Sequence, residues 1–434
     1  MADKARQAAL DVLEKCRRSG AWSSAAIDGV IKKYGLDSKS AAFATALSLG
    51  VIQNISLCDF YIDSYASNKI EPKVRDILRE AVFQLLFMDR IPKSAAVNEA
   101  VLLCKRLGYS RASGFVNAVL RKISGSLSNL PEIPRKDEAE YLSIKYSHPK
   151  WLAERIIAEK GFSFAESFFA ANNIAADTCI QINTLKTDTY SLKEEFKSSG
   201  IDFSEHEWLK DALIVSGNVT KLPGFEDGKF YVQDPAAKCA VLIADLKPDM
   251  QVLDACAAPG GKSFAAAIAM QDKGKITSCD LHEKKVGLIK SGAERLGISI
   301  ISAEGFDARN ERTDEFDAVI ADVPCSGLGV IRKKPDIRFK DEKELSGLCN
   351  IQLDILNNVS KYVKAGGELI YSTCTVLKEE NEGVVEKFLS AHPEYKCEAF
   401  YLPNGRNAES GMYTFWPNID GTDGFFVCKL RRTL

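Results

Sequence analysis

Hydrophobic side chains recur at helical spacing through the first 125 residues of the chain. In the segment EPKVRDILREAVFQLLFMD, Pro72 suits the first turn of a helix. The apolar positions that follow it at helical spacing are Val74, Ile77, Leu78, Ala81, Val82 and Leu85. The same spacing returns at residues 9–16, 41–52, 96–104 and 115–123. Strand-like alternation is absent here, so the pattern predicts a compact bundle of helices.

Residues 124–140 separate this bundle from a smaller segment of mixed character. The stretch SGSLSNLPEIPRKDEAE has two prolines, several serines and a run of charges, which is typical of a linker. Beyond it we expect helices near 151–160 and 190–199, and strands near 179–185, 212–215 and 230–232. Residues 145–235 are therefore predicted to form a small α+β segment.

From about residue 236, apolar strands alternate with amphipathic helices. Strands are predicted at 252–256, 275–280, 298–305, 316–322 and 368–374, and a long helix is predicted from about 341 to 363. This alternation predicts a mostly parallel, doubly wound sheet, in which ligands bind at the carboxyl ends of the strands. The residues at or just beyond these ends are the candidates for chemistry: Asp254, Asp280, Asp307, Asp322 and Cys374.

Composition narrows the class of protein. The chain has 434 residues, which at about 150 residues per domain suggests three folding units. Its 46% hydrophobic and 27% charged residues are typical of a globular protein in water. The longest apolar stretches are too short to cross a bilayer, and the start MADKARQAAL has no export signal. We therefore expect a cytoplasmic protein without a membrane segment.

The twelve cysteines predict neither a disulfide scaffold nor a metal site. No two lie closer together than Cys239 and Cys256, so the chain has no CxxC pair for zinc or for a redox dithiol. The four histidines share no spacing, and we interpret them as structural. We expect no metal.

Charge is distributed unevenly although the net charge is only −2. Residues 1–130 contain 19 basic and 12 acidic residues, whereas the remainder contains 38 basic and 47 acidic residues. A basic N-terminal third is typical of a module that binds a polyanion, and an uneven solvated surface is the alternative. The run Arg332-Lys333-Lys334 has the same two interpretations.

A glycine-rich turn follows the first predicted strand of the C-terminal third. The segment CAAPGGKS lets backbone amides approach a ligand at the start of a helix, where negative charge is favoured. It also approximates a phosphate-binding P-loop with Cys256 in place of the first glycine, so a nucleotide hydrolase is a rival interpretation. Pro259 restricts that loop, and Asp280 lies where a carboxylate accepts ribose hydroxyls, which favours a nucleoside cofactor.

Two cysteines follow predicted strands of the sheet. Cys325 lies in the turn PCSG directly after Asp322, and Cys374 lies in the turn STCT. A cysteine at a strand end is usually an inert small hydrophobe, and this interpretation suits Cys16, Cys104, Cys179 and Cys428. It suits Cys325 and Cys374 poorly, because both lie among polar loop residues. We expect both thiols to face one cleft.

These motifs resemble those of a known family. DACAAPGGKS, ADVPCSGLGVIRKKPDIRF and YSTCTV with Asn381 are similar to motifs of the RNA (cytosine-5) methyltransferases. The first 125 residues, with FATALSLGVIQN, AVFQLLFMDRIP and NAVLRKI, resemble a NusB-like helical domain. Together they resemble the RsmB (Sun/Fmu) family over essentially the whole chain. Two departures are Ser263 in place of threonine and Gln181 in place of an arginine; the second concerns a possible RNA contact.

The resemblance implies three domains and a reaction. It implies an all-α NusB-like RNA-binding bundle at 1–130, a small α+β domain at 140–235 and an α/β Rossmann-like catalytic domain at 236–434. The implied activity is S-adenosylmethionine-dependent methylation of carbon 5 of a cytosine in 16S ribosomal RNA, cytosine 967. The implied partner is unassembled or partly assembled small-subunit RNA, bound by a monomer. Two alternatives are methylation of a tRNA cytosine and a non-catalytic RNA-binding or antitermination factor.

The resemblance also implies roles for individual residues. Cys374 is the expected nucleophile that adds to carbon 6 of the base, and Cys325 is expected to assist release. Asp322 is expected to hold the cytosine edge, and Lys262 to orient this carboxylate or favour a thiolate. The residues that the resemblance assigns to S-adenosylmethionine are Cys256, Ala257, Ala258, Pro259, Gly260, Gly261, Lys262, Asp280, Asp307 and Asp322. Asp307 is expected to accept from the adenine amino group, and a turn-capping aspartate is the alternative for it.

Overall fold

The structure is a computed structural model that describes residues 4–19, 23–67 and 69–433. The chain forms two compact units, each interrupted in sequence. Unit 1 comprises residues 1–174 and 331–344, and unit 2 comprises residues 175–330 and 345–434.

Unit 1 is built from helices, as the spacing of its apolar residues predicts. The α-helices in its described residues are α1 (Lys4–Ser19), α2 (Ser23–Tyr34), α3 (Ser38–Gln53), α4 (Ile55–Tyr65), α5 (Pro72–Phe87), α6 (Lys93–Arg106), α7 (Ser113–Gly125), α8 (Glu138–Tyr146), α9 (Lys150–Lys160) and α10 (Phe162–Asn172). Pro72 begins α5, and the Glu71 side chain accepts a hydrogen bond from the Val74 amide at 3.0 Å. The apolar face of α5 lies in the core, where Ile77, Leu78 and Val82 are fully buried.

The segment 331–344 returns to unit 1 from the C-terminal half of the sequence. It contains a short 3₁₀ helix, Pro335–Phe339. The buried Arg338 guanidinium donates to the carbonyl oxygens of Gln53 (2.8 Å) and Asn172 (3.2 Å) and to Oδ1 of Asn173 (2.7 Å). This one side chain therefore ties the segment to α3 and α10.

Unit 2 begins with a small antiparallel sheet. Its strands are β1 (Thr178–Ile182), β2 (Phe203–Glu205), β3 (Ala212–Val215) and β4 (Phe230–Val232), in the order β2-β3-β1-β4. Helix α11 (Thr189–Ser198) begins after Asp188, whose side chain accepts from the Ser191 amide at 2.8 Å. Its apolar residues Leu192 and Phe196 pack with the inner face of the sheet.

The rest of unit 2 is a doubly wound sheet, as predicted. Its parallel strands are β5 (Gln251–Asp254), β6 (Lys275–Asp280), β7 (Ile301–Gly305), β8 (Phe316–Asp322) and β9 (Val363–Thr373). The remaining strands are β10 (Tyr395–Cys397), β11 (Phe400–Tyr401), β12 (Asn407–Ala408), β13 (Met412–Phe415) and β14 (Phe425–Arg432). The main sheet runs β10-β14-β9-β8-β5-β6-β7, in which β14 is antiparallel to β9 and β10 is antiparallel to β14. Strand β13 pairs with β14, and β11 pairs with β12 in a separate two-stranded sheet.

Helices cover both faces of this sheet. They are α12 (Pro235–Leu242), α13 (Gly261–Ala269), α14 (Glu283–Leu296), α15 (Leu348–Val359), α16 (Glu382–Ala391) and the short α17 (Pro417–Asp420). One apolar core contains α12, α13 and α14, and another contains α15 and α16. Both cores include side chains of the central strands, which explains why those strands read as continuous apolar runs.

The prediction of one long helix from residue 341 to residue 363 is wrong. Residues Glu342–Leu345 form a 3₁₀ turn, Gly347 has a φ of +96°, and α15 extends only from Leu348 to Val359. A residue with positive φ ends a right-handed helical path, so the glycine separates the two elements. A second 3₁₀ turn, Ser360–Tyr362, leads directly into β9 at Val363.

Two features of the described residues concern membranes and metal ions. No single helix within them is long and apolar enough to cross a bilayer, whereas α3 and α4, bent by 75°, pass that test of length and composition as a pair. The same residues contain no cluster of three or more His, Cys, Asp or Glu side chains suited to a metal ion.

Candidate active site

The candidate residues lie along one edge of the main sheet. Asp254, Asp280 and Asp322 are the last residues of β5, β6 and β8, and Cys374 directly follows β9. These four strands are parallel neighbours in the order β9-β8-β5-β6. The strand pattern therefore predicts their common edge correctly.

The glycine-rich turn connects β5 to α13. The Ala257 amide donates to the carbonyl oxygen of Cys279 (2.7 Å), and the Gly260 amide donates to that of Ala257 (2.7 Å). Gly260 has a φ of +114°, and a Cβ built on it would lie 2.5 Å from the Phe264 ring. Only glycine fits this position, and it allows α13 to begin at Gly261 beside the strand ends. The N-terminus of α13 is thereby presented at the same edge.

Lys262 and Asp322 form an ion pair within this edge. The Lys262 Nζ lies 2.6 Å from Asp322 Oδ2, and the Ser372 hydroxyl donates to Asp322 Oδ1 at 2.9 Å. Burial acts to lower the pKa of Lys262, but Asp322, Asp254 and Cys374 outweigh it, so the pKa lies above its usual value. Lys262 is therefore a fixed cation that orients the Asp322 carboxylate.

The two thiols are in direct contact. The Sγ atoms of Cys325 and Cys374 lie 3.1 Å apart, and both residues are half-buried. The Gly329 amide donates to the Cys374 carbonyl oxygen at 3.0 Å, and the Ser326 hydroxyl lies 2.7 Å from that of Thr375. The two turns are thus bonded to each other through both backbone and side chains. The structure brings the two thiols together, and their exposure to one cleft stays a prediction.

The environment of Cys325 opposes ionisation of its thiol. Its contact with Cys374, then its burial, and then the charges of Cys374, Glu380 and Asp322 raise its pKa well above the usual value. Burial also raises the pKa of Cys256, the first residue of the glycine-rich turn. Burial raises the pKa of Asp254 to about 6, although Asp254 Oδ2 accepts a hydrogen bond from Ser263 at 2.7 Å.

Asp307 lies beyond β7 and is engaged locally. Its Oδ1 accepts from the backbone amide and Nε of Arg309 (3.0 Å each), and its Oδ2 lies 2.7 Å from Nη2. The Arg309 side chain therefore lowers the pKa of this carboxylate. Asp280, by contrast, accepts a hydrogen bond from the His282 amide at 2.9 Å, and Lys285 Nζ lies 4.0 Å from its Oδ1.

Several residues singled out by sequence lie outside this site. Cys16, Cys104, Cys179 and Cys428 are buried, in agreement with their interpretation as inert thiols. Buried Gln181, which replaces the family's arginine, donates to the carbonyl oxygen of Gln233 at 3.2 Å within unit 2. The basic run 332–334 belongs to unit 1.

The comparisons with known proteins decide the family. Residues 241–431 match the family described as 16S rRNA methyltransferase RsmB/F, residues 3–125 the NusB family and residues 148–220 a ferredoxin-like domain of RsmF/B-like methyltransferases. A Bacillus subtilis protein, "Probable ribosomal RNA small subunit methyltransferase B", is 35% identical and covers 98% of both chains. A Synechocystis protein of the same description is 31% identical over 99% of both chains. The chain belongs to the RsmB/F methyltransferase family.

Solved structures agree with this membership. The crystal structure of PH0851 matches 100% of this chain and 99% of its own, with a TM-score of 0.82 and 28% identity. A methyltransferase homologue from Pyrococcus horikoshii matches 67% of this chain and 97% of its own, with a TM-score of 0.59 and 25% identity. The protein is thus an RNA methyltransferase that uses S-adenosylmethionine, with NusB-like, ferredoxin-like and Rossmann-like domains. The hydrolase and non-catalytic alternatives are excluded.

The residues of this RsmB/F enzyme fit the methyl donor. Asp280 offers a carboxylate at the end of β6, where ribose hydroxyls are held in such sheets. The glycine-rich turn brings backbone amides to the same edge. The positive φ of Gly260 requires glycine at that position, so no side chain obstructs the approach of a ligand. Asp307 retains acceptor capacity for an amino group, because each carboxylate oxygen has two lone pairs.

Sequence reasoning missed Glu380 and Gln352, and it named Asn381 as part of a motif without a role. Glu380 accepts from the Ser326 amide, and Gln352 donates to the carbonyl oxygen of Pro324 at 3.0 Å. Asn381, whose role was not predicted, accepts from the Thr373 hydroxyl (2.6 Å) and donates to the Thr375 carbonyl (3.1 Å). The available signal was the polar pair Glu380-Asn381 shortly after Cys374, at the start of an amphipathic helix.

Proposed function

We propose that this enzyme methylates carbon 5 of cytosine 967 in 16S ribosomal RNA through a transient bond between Cys374 and carbon 6 of the base. The observation that carries the proposal is the pair of thiols 3.1 Å apart, on the turns that follow β8 and β9. Beside them, Asp322 at the end of β8 is paired with Lys262 of α13. The relatives described as ribosomal RNA small subunit methyltransferase B support the RNA substrate. The numbered cytosine follows from the family resemblance.

The reaction requires a thiolate because carbon 5 of cytosine is a weak nucleophile. Bound S-adenosylmethionine supplies an electrophilic methyl group. When the Cys374 sulfur adds to carbon 6, the ring gains enamine character and carbon 5 becomes able to attack, which is covalent catalysis. The Asp322 carboxylate accepts a hydrogen bond from the exocyclic amino group, and Lys262 keeps that carboxylate oriented. The target base is unpaired or flipped out of its stack, since stacking hides carbon 6.

Charge favours Cys374 as the attacking sulfur. Cys374 is among the groups that raise the pKa of Lys262, and this attraction is mutual, so the ammonium stabilises a Cys374 thiolate. The Cys325 thiol, 3.1 Å away, is positioned to donate its proton toward that sulfur. Two neighbouring groups therefore favour negative charge on Cys374.

Cys325 assists the release step. After methyl transfer, the proton on carbon 5 passes to solvent and the electron pair of that C–H bond forms the double bond between carbons 5 and 6. The bond between carbon 6 and the Cys374 sulfur breaks, and its electron pair returns to Cys374. Cys325 lies close enough to that sulfur to take part in proton movement at this stage. In its absence the covalent complex should persist.

The proposal assigns tasks to the three domains. Residues 1–130 bind RNA, residues 140–235 form the middle domain, and residues 236–434 catalyse. The turn Cys256–Lys262 with Asp280, Asp307 and Asp322 holds the methyl donor. The enzyme acts as a monomer in the cytoplasm on unassembled or partly assembled small-subunit RNA, where single-stranded loops offer accessible bases.

Paired cysteine variants test the mechanism. Cys374→Ala should abolish methyl transfer while the affinity for S-adenosylmethionine, measured by calorimetry, stays near wild type. Cys325→Ala should accumulate a protein–RNA complex that survives denaturing electrophoresis. Cys397→Ala removes another half-buried thiol of unit 2 and is the matched control. Turnover in Cys374→Ala would move the nucleophile elsewhere, and normal turnover of Cys325→Ala without a complex would remove its role in release.

Mapping methylated cytosines tests the substrate. Ribosomal RNA from cells with and without this protein should differ at cytosine 967 of 16S RNA, and the purified enzyme should restore that methyl group. Methylation confined to a tRNA cytosine would overturn the proposed substrate while leaving the chemistry intact.

A further inference from the structure

Glu380 is a buried carboxylate to which the proposed mechanism gives no task. It lies between β9 and α16, six residues after Cys374, and is 2% exposed. Its Oε2 accepts hydrogen bonds from the Ser326 amide (2.9 Å) and from Nε2 of Gln352 (2.8 Å). Within the described chain, no lysine or arginine forms an ion pair with it. Burying a carboxylate is costly because it loses its hydration, and these two hydrogen bonds offset part of that cost.

These hydrogen bonds hold the turn that carries Cys325. Ser326 follows Cys325 directly, and its amide is fixed by Glu380. On the other side of Cys325, the Pro324 carbonyl oxygen accepts from the same Gln352 amide group at 3.0 Å. Both peptide neighbours of the thiol are therefore anchored to one pair of side chains, Glu380 and Gln352.

The charges around the two sulfur atoms differ in sign. Cys325 faces the negative charges of Glu380 and Asp322, whereas Cys374 interacts with the Lys262 ammonium. The sulfur atoms are only 3.1 Å apart, so they can share one proton. These neighbouring charges determine which of the two sulfur atoms carries it. The arrangement favours the anion at Cys374 and the proton at Cys325.

We propose that Glu380 is a positioning residue, which anchors the Pro324–Gly327 turn and, by its negative charge, keeps the shared proton on Cys325 so that Cys374 is the attacking thiolate. The consequence for turnover rests on the proposed function. The electrostatic effect on the Cys325 thiol does not, and it is measurable without RNA or cofactor.

The first test measures the Cys325 thiol directly. In a Cys374→Ala background, the rate of Cys325 alkylation by iodoacetamide is followed against pH by mass spectrometry of the peptide. Glu380→Gln keeps an acceptor oxygen but removes the charge, so the midpoint should fall by about one pH unit or more. Glu379→Gln removes the neighbouring exposed carboxylate and should leave the midpoint unchanged. An unchanged midpoint in Glu380→Gln would overturn the electrostatic role.

The second test separates anchoring from charge in the full reaction. Glu380→Ala removes both hydrogen bonds, so kcat should fall, the KM for S-adenosylmethionine should stay constant, and covalent RNA complex should accumulate as in Cys325→Ala. Glu380→Gln should restore release and shift the pH profile of kcat to lower pH. If wild type methylates RNA and both variants match its kcat, pH profile and complex level, the positioning role is wrong. If wild type methylates no RNA, the proposed function fails and the alkylation result decides Glu380 alone.

Discussion

At the scale of single residues, the edge of the main sheet where β5, β6, β8 and β9 end combines charged groups with very different surroundings. Asp322 is satisfied by Lys262 and Ser372, whereas Asp254 is fully buried and only its Oδ2 has a hydrogen-bond partner, Ser263. Burial raises the pKa of Asp254 to about 6, against 3.8 for a free side chain. Asp254 therefore costs stability whenever it is ionised.

This cost predicts a pH-dependent effect of Asp254→Asn. The folded state binds the proton more tightly than the unfolded state, so the carboxylate's contribution to the free energy of unfolding falls as pH rises from about 4 to about 6. A pKa difference of about two units corresponds to about 3 kcal/mol. The asparagine side chain has no charge to bury, so the variant should gain stability relative to wild type over this interval and keep that gain above pH 6. Urea unfolding, with hydrogen exchange of peptides from β5 and α13, measures the difference.

Asp317 is the matched control for that experiment. It lies on β8, where burial raises its pKa but the Gln251 amide and Lys364 outweigh burial and lower it overall. A lowered folded pKa gives stability that is present above the unfolded pKa and lost as pH falls. Asp317→Asn should therefore show the opposite trend with pH. A difference between wild type and Asp254→Asn that does not change with pH would contradict the interpretation of Asp254.

At the scale of elements, the site depends on three loops that meet at glycines. The Gly329 amide donates to the Cys374 carbonyl oxygen at 3.0 Å, and the Gly424 amide donates to the Gly329 carbonyl oxygen at 2.8 Å. A Cβ on Gly329 would lie 1.8 Å from the Gly424 oxygen, so the backbones approach more closely than any side chain allows. The loop after Cys325, the turn after β9 and the start of β14 are thereby held together.

Gly329→Ala should separate these loops and impair catalysis. The clash forces a backbone shift of the order of 1 Å between the two cysteine turns, and misplacement of this size costs about 10²-fold in rate. Affinity for S-adenosylmethionine should change little, because the atoms nearest a Cβ at Gly329 belong to Gly424 and Cys374 and not to the turn proposed to hold the methyl donor. Gly287→Ala, in exposed space on α14, is the control and should keep full activity. Normal kcat in Gly329→Ala would show that the close approach is not needed for the reaction.

The sequence predicted elements whose signals are local and missed those set by distant contacts. The spacing of apolar residues predicted the parallel strands and helix α5. The position of the aspartates at the carboxyl ends of the strands then followed from the predicted parallel sheet. The predicted helix at 341–363 failed because positive φ at Gly347 is not visible in apolar periodicity. Glu380 was missed because its partner Ser326 is 54 residues away in sequence. The short strands β10 to β13 have too few residues for a clear alternation.

At the scale of the whole molecule, the chain passes between its two units more than once. Segment 331–344 follows the Cys325 turn in sequence but is anchored in unit 1 by Arg338. Burial lowers the pKa of Arg338 to about 9, so the guanidinium is charged at neutral pH and depends on its carbonyl and amide partners. Removing residues 1–140 would delete Gln53 and much of the core around this segment. Charge variants of the full chain therefore test the N-terminal part better than truncation does.

The surface for that test is an exposed basic segment of unit 1. Residues 101–130 contain five basic residues and no acidic residue. The five are exposed on α6, the following 3₁₀ turn and α7: Lys105, Arg106, Arg111, Arg121 and Lys122. If this surface contacts RNA phosphates, each contact releases counterions and adds about 0.7 to the slope of log affinity against log salt concentration.

Replacing Lys105, Arg111, Arg121 and Lys122 with Gln should weaken RNA binding at low salt and reduce that slope by about 2 to 3. The control replaces Lys247, Lys273, Lys275 and Lys290 of unit 2 with Gln, which changes the net charge equally on an exposed surface elsewhere. Filter binding of 16S RNA fragments over a range of salt concentrations measures both slopes. Because overall charge falls equally in both proteins, a larger loss in the first assigns affinity to the α6–α7 surface. Equal losses would mean that the N-terminal charge acts only through the net field of the molecule.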